Sequence, residues 1–122
     1  MELRGLALDA ALVAVGAVAG ALLRFGVSTW IPTRTFPWAT LLVNLTGAFA
    51  IGLLMLPPPG AEPPVRLLVV VGFLGAFTTL STYSFETIDL WRTGKTGLAV
   101  ANMVANGAGG PLVAFVGWKL KG

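Results

Sequence analysis

A chain of 122 residues, 56% of them hydrophobic and 11% charged, has room for one domain and too little polar surface to cover a soluble core of that size. Its mean hydropathy of +0.85 makes the bilayer the natural solvent, and its formal charge of +3 is scattered with no basic stripe, which excludes a nucleic-acid reading. Cysteine and histidine are both absent, which removes disulfides, thiolate metal sites, thiol nucleophiles and the commonest general base. With no nucleophile–base pair left, the chain does not read as an enzyme.

A helix needs about 20 apolar residues to cross a hydrocarbon core ~30 Å thick. Four segments qualify, so the predicted fold is an all-α membrane protein, one four-helix domain over residues 1–122. The first span is expected over residues 6–27, with Asp9 near its start and Arg24 toward its end. Met-Glu-Leu-Arg lacks the basic opening of a secretory signal, so this segment reads as a retained helix. A turn containing Trp30, Pro32, Thr33, Arg34, Thr35 and Pro37 leads to the second span, residues 38–56, which carries no charge and stops at Pro57-Pro58-Pro59-Gly60. The third span, 67–91, is interrupted by Gly72, Gly75 and the hydroxyl-rich stretch Thr78-Thr79-Leu80-Ser81-Thr82-Tyr83-Ser84. The fourth, 96–118, ends at Lys119 and Lys121. Trp30, Trp38, Trp91 and Trp118 all fall at span ends, where indole rings favour the membrane interface. Small residues at helical spacing, Gly16 with Gly20 and Ala17 with Ala21, predict close helix packing.

Four crossings put Arg4, Arg66, Lys119 and Lys121 on one side and Arg34, Arg92 and Lys95 on the other, with Arg24 near the latter. Such a balance gives the positive-inside rule almost no vote, and insertion in both orientations is expected.

Polar side chains at membrane depth are functional candidates. Arg24 either snorkels to the interface or acts inside. Asn44, with Thr40 one turn earlier, is either glue between helices or a site. Asn102 and Asn106, four residues apart on one face, form with Gly109 and Gly110 either a polar track or a packing seam. Glu86 is either functional or marks the end of its span. In the third span, hydroxyls compete with the backbone for hydrogen bonds and the glycines weaken the helix. This predicts a broken helix at an ion site, the alternative being a packing face.

Together these segments resemble the Fluc (CrcB) fluoride channels of microbial membranes, over essentially the whole chain. Gly20-Ala21-Leu22-Leu23-Arg24 is similar to that family's first-helix signature. Thr40-Leu41-Leu42-Val43-Asn44-Leu45-Thr46-Gly47-Ala48-Phe49, with Gly52, is similar to its second-helix motif, and Gly72 to Glu86 follows its third-helix motif. The resemblance implies an antiparallel homodimer of dual topology in the cell (inner) membrane, exporting fluoride from the cytoplasm through two pathways. It also implies a structural sodium ion at the dimer centre, held by the backbone carbonyls of Gly75 and Thr78. The implied fluoride pathway takes in Thr40, Asn44, Leu80, Ser81, Thr82, Tyr83, Asn102 and Asn106, with Gly110 continuing the fourth-helix track. Two features depart from the family's usual pattern. Leu80 and Tyr83 stand where it places two Phe residues, and Asn102 stands where an aromatic or hydroxyl group is common. The rival readings are a small multidrug exporter, which needs a membrane-embedded carboxylate that neither Asp9 nor Glu86 supplies comfortably from near a helix end, an assembly subunit of a larger complex, and one half of a heterodimeric fluoride channel.

Overall fold

The computed structural model describes residues 3–32, 35–54 and 63–121, and among them every regular element is helical. Thr33, Arg34, the end expected for the second span at residues 55–56 and the stop at Pro57-Pro58-Pro59-Gly60 lie outside the described residues.

Helix α1 (Leu3–Trp30) outruns the expected 6–27 at both ends. Its last turn is polar, yet the hydroxyls of Ser28 and Thr29 donate back to the carbonyls of Arg24 and Phe25 at 3.0 and 2.9 Å. Hydroxyls satisfied on their own helix let it continue past its last apolar residue. Helix α2 (Trp38–Leu54) starts just after Pro37, a residue suited to a first turn because no intrahelical partner is lost there. Its 17 residues reach about 26 Å at ~1.5 Å per residue.

The third span has two parts. Helix α3 has a π-helical body, Arg66–Leu74, entered through the turn Pro63–Val65 and left through the turn Gly75–Phe77. Then Thr78 (φ −83°, ψ 157°) and Thr79 (φ −148°, ψ 117°) are extended, and α4 (Leu80–Arg92) resumes the helix. The expected break is present, at the hydroxyl pair rather than at the glycines. Gly72 is helical, and it is small because Val13 of α1 packs on it: a Cβ there would lie 2.5 Å from the Val13 carbonyl oxygen. The turn after α4 uses Gly94 at φ +83°. The fourth span, expected as one helix, is α5 (Thr96–Gly107) and α6 (Gly109–Lys121) joined at Ala108. Pro111 has no N–H for the carbonyl of Gly107, and three glycines surround the joint.

Two backbone-to-backbone seams hold this arrangement. On α1, a Cβ at Gly16 would sit 2.0 Å from the Leu68 carbonyl oxygen and one at Gly20 2.2 Å from that of Phe73. Between α2 and α6, a Cβ at Gly52 would sit 2.0 Å from the Ala114 carbonyl oxygen and one at Gly117 2.5 Å from that of Phe49. With no hydrophobic force between helices in lipid, such close approach is what binds them.

The outside is apolar. Leu22, Phe25, Phe85, Ile88 and Leu112 are each more than half exposed, and the four tryptophans are 43% to 88% exposed at the span ends. Three helices (Leu3–Trp30, Arg66–Arg92 taken through the break, and Thr96–Lys121) are long and apolar enough to cross a bilayer, with α2 a shorter apolar partner. The chain is a multi-pass, all-α membrane protein.

Candidate functional site

Every backbone group must find a partner at membrane depth, so a broken helix has to be repaired by side chains. Three do so here. Arg24 of α1 does not snorkel outward, because its Nε donates to the carbonyl of Ala76 at 3.1 Å. Asn44 of α2 pairs reciprocally with Thr79, its Oδ1 accepting from the Thr79 N–H at 2.9 Å and its Nδ2 donating to the Thr79 carbonyl at 3.2 Å. Thr79 itself caps α4, its Oγ1 accepting from the Thr82 N–H at 3.1 Å.

These substitutions redirect two donors. In an unbroken helix the N–H of Thr79 would bond to the Gly75 carbonyl and that of Thr82 to the Thr78 carbonyl. Both are spent elsewhere, so the carbonyls of Gly75 and Thr78 are released from their helical donors at the same place. Two such oxygens are hard donors of the kind sodium takes, and could form part of the shell of that ion. Among the described residues no cluster of three acidic side chains offers a competing cation site.

From Asn44 the polar contacts continue. Its Nδ2 also donates to Asn106 Oδ1 at 2.9 Å. Asn106 Nδ2 donates to both the carbonyl and the Oδ1 of Asn102, each at 3.0 Å. Asn102 Nδ2 donates to Thr87 Oγ1 at 2.9 Å, and the Thr87 hydroxyl donates to the Tyr83 carbonyl at 2.8 Å. The three asparagines thus form one connected relay from α2 through α5 to α4.

A cavity of about 410 Å³ lies beside the break, lined by Gly75, Thr78, Leu80 and Tyr83 and by Asn44 and Asn106. Asn102, expected on the same pathway, is not part of that lining; it is fully enclosed, with 0% exposure, and supports the relay from behind. Leu80, at the cavity's open edge, is 76% exposed, and Ser81 and Ser84 are exposed as well. The Ser84 hydroxyl is satisfied by the Leu80 carbonyl at 2.8 Å, and that of Ser81 lies 3.4 Å from Thr79 Oγ1. Thr82 is half-buried. Glu86 does not mark a span end: it lies within α4, its carboxyl against the hydroxyl of buried Thr40, with Oε1 buried and unpartnered. Thr87 was missed from sequence; its signal was a hydroxyl one turn beyond Tyr83, past the stretch that drew attention.

A family model described as CrcB-like protein, Camphor Resistance (CrcB), matches residues 11–118. The chain is 42% identical over 114 residues to a Moorella thermoacetica protein named fluoride-specific ion channel FluC 2, covering 90% of this chain and 93% of that one. It is 43% identical over 116 residues to the fluoride-specific ion channel FluC of Thermus thermophilus, covering 91% of each. A Bacillus cereus protein named fluoride-specific ion channel FluC 2 is 40% identical over 118 residues, covering 94% of this chain and 98% of that one.

Proposed function

The chain belongs to the CrcB family, and from that membership we propose that it is a fluoride-selective ion channel of the cell (inner) membrane, lowering fluoride toxicity by letting the ion leave the cytoplasm. The observation that carries this reading is the asparagine relay meeting a broken helix at mid-membrane, beside a cavity open to its donors. A small, strongly hydrated anion gives up water only to other hydrogen donors, and amides and hydroxyls supply them without the positive charge that would trap it. At the cavity Asn44 and Asn106 offer amides and Tyr83 both a ring edge and a hydroxyl, while Thr40, Ser81 and Thr82, which do not line it, would offer hydroxyls elsewhere on the path. Both amide hydrogens of Asn44 are already in use, so an ion at this position takes over the one given to Asn106 rather than the one given to the backbone of Thr79. Asn102 supports Asn106 from behind.

The carbonyls of Gly75 and Thr78 would hold a structural sodium ion, which when bound supplies positive potential near the anion path and neutralises oxygens released by the break. The chain works as an antiparallel homodimer of dual topology. Supporting this is the near-equal Lys and Arg tally on the two sides. Single cysteines at Arg4 and Lys121 should label with an impermeant reagent from both sides of the membrane; labelling from one side only excludes the arrangement.

Glu86 gives the small multidrug exporter one supporting observation, a carboxylate inside a span with a buried free oxygen. Fluoride efflux from liposomes carrying only this protein, read with a fluoride electrode, separates the two: rapid fluoride loss supports the channel, and proton-coupled loss of a cationic dye without fluoride loss supports the exporter.

A further inference from the structure

We infer that Thr87 and Asn102, neither of which lines the cavity, are positioning residues that hold the third span open at Thr78–Thr79. The inference rests on the channel reading for its consequence and on the hydrogen bonds alone for its premise.

The direction of every hydrogen in the relay is determined. At one end the Thr87 hydroxyl donates to the Tyr83 carbonyl, so toward Asn102 it can only accept, and Asn102 must turn its NH₂ to it. That turns Asn102 Oδ1 to Asn106, which must answer with its own NH₂. Asn106 Oδ1 is thereby left facing Asn44 and takes one hydrogen of its Nδ2. Asn44 then has only its Oδ1 to offer the Thr79 N–H, and that is the bond that keeps this N–H from the Gly75 carbonyl. At the other end the Thr79 N–H and carbonyl demand the same orientation of Asn44. Three backbone anchors, at Thr79, at Tyr83 and at the Asn102 carbonyl that accepts from Asn106 Nδ2, therefore impose one polarity on the three amides. Asn102 makes its part of this in full enclosure, where water cannot replace a lost partner.

Removing the Thr87 hydroxyl leaves the buried Asn102 NH₂ without its acceptor and frees its amide to turn. Asn106 is then held only by the Asn102 backbone carbonyl and Asn44 only by its Thr79 pair, so the hold on the Thr79 N–H against its return to Gly75 is weakened. The test is Thr87→Val, close in shape but without the hydroxyl, beside Thr87→Ser, which keeps it. In asparagine- and threonine-labelled full-length protein, Thr87→Val should move the side-chain NH₂ resonances of Asn106 and Asn44 and the backbone N–H resonance of Thr79, groups whose hydrogen bonds go to other residues. Fluoride efflux from liposomes should fall about tenfold, the scale of one lost buried hydrogen bond, and Thr87→Ser should restore both. A folded Thr87→Val protein in which only the Asn102 resonance moves overturns the inference. Asn102→Ala, read in the same way, carries the test if the valine variant does not fold. Wild-type protein that passes no fluoride would remove the channel reading while leaving the resonance test of the relay in force.

Discussion

The glycine seams and the break with its relay solve opposite problems in one bilayer. Along α1 with α3 and α2 with α6 the backbones meet through Gly16, Gly20, Gly52 and Gly117, and no side-chain hydrogen bond joins these helices at those glycines. At the break the helices are joined through side-chain hydrogen bonds, by Arg24, Asn44, Asn102, Asn106 and Thr87. A seam stores its stability in contact area and tolerates no added atom. The relay stores it in the orientation of amides and tolerates no change of donor to acceptor. Substitutions should therefore fail differently in the two regions, by lost folding in one and by lost conduction in the other.

The largest effect is expected at the seam. Gly52→Leu puts carbon where the Ala114 carbonyl oxygen lies 2.0 Å from an ideal Cβ, and the atom it meets is backbone that cannot swing aside. It should cost about 3 kcal/mol or more and separate α2 from α6, seen as loss of the folded species in detergent unfolding. A folded, active Gly52→Leu protein would show that the seam is not tight.

Asn44→Asp should do the reverse, leaving the fold in place while flux falls roughly a hundredfold, the scale of two buried hydrogen bonds. An ionised carboxylate still accepts from the Thr79 N–H but has nothing to give the Thr79 carbonyl or Asn106 Oδ1, and its charge repels an anion. Near-native efflux from the folded variant would take Asn44 out of the pathway. Tyr83→Leu comes next. Tyr83 is the remaining ring of the expected aromatic pair and lines the cavity beside Asn44; its loss should nearly silence efflux, whereas unchanged conduction by a folded variant would mean that the ring edge carries no ion.

Much of this division was legible in the sequence, and its limits have physical causes. Hydropathy located the spans because about 20 apolar residues are a bulk requirement of the bilayer. The hydroxyl run announced the break because Thr and Ser side chains compete locally with the helix, as the Thr79 cap does. The spacing of Gly16 and Gly20 announced a seam. Spacing also put Asn102 and Asn106 on one face, but periodicity says nothing of which way that face turns, and Asn102 proved to face Thr87 rather than the cavity. Arg24 was ambiguous because a long side chain near a span end reaches either water or a freed carbonyl, and only the position of Ala76 decides. The π-helical body of α3 and the joint at Ala108 were not anticipated. The first is a property of backbone hydrogen bonding between residues that are all apolar or Gly after Arg66. The second was foreshadowed by Gly107, Gly109, Gly110 and Pro111, of which only Gly109 and Gly110 were weighed, as part of a polar track or packing seam, and not the donor that proline lacks.

The smallest effect is expected at Leu80, where the chain departs from its family's usual aromatic pair. Leu80 is 76% exposed on the single chain, so enlarging it meets no wall within the protomer, in contrast to Gly52. A Leu fills part of the volume of a Phe but has no polarised ring edge to offer an anion. On the proposed pathway the present chain would have one favourable stop fewer at this position, and the Tyr83 hydroxyl, a direct donor, would compensate. Leu80→Phe should therefore leave efflux unchanged or raise it by a factor of a few, about 1 kcal/mol at most for one aromatic contact. Thermal stability has to be followed in the same samples, because a second copy covering this face would make Leu80 a packing residue, and overpacking there costs about 1–3 kcal/mol. A Leu80→Phe protein that keeps its stability and loses efflux would mean that the aliphatic side chain is itself the adaptation, leaving Tyr83 the room it uses.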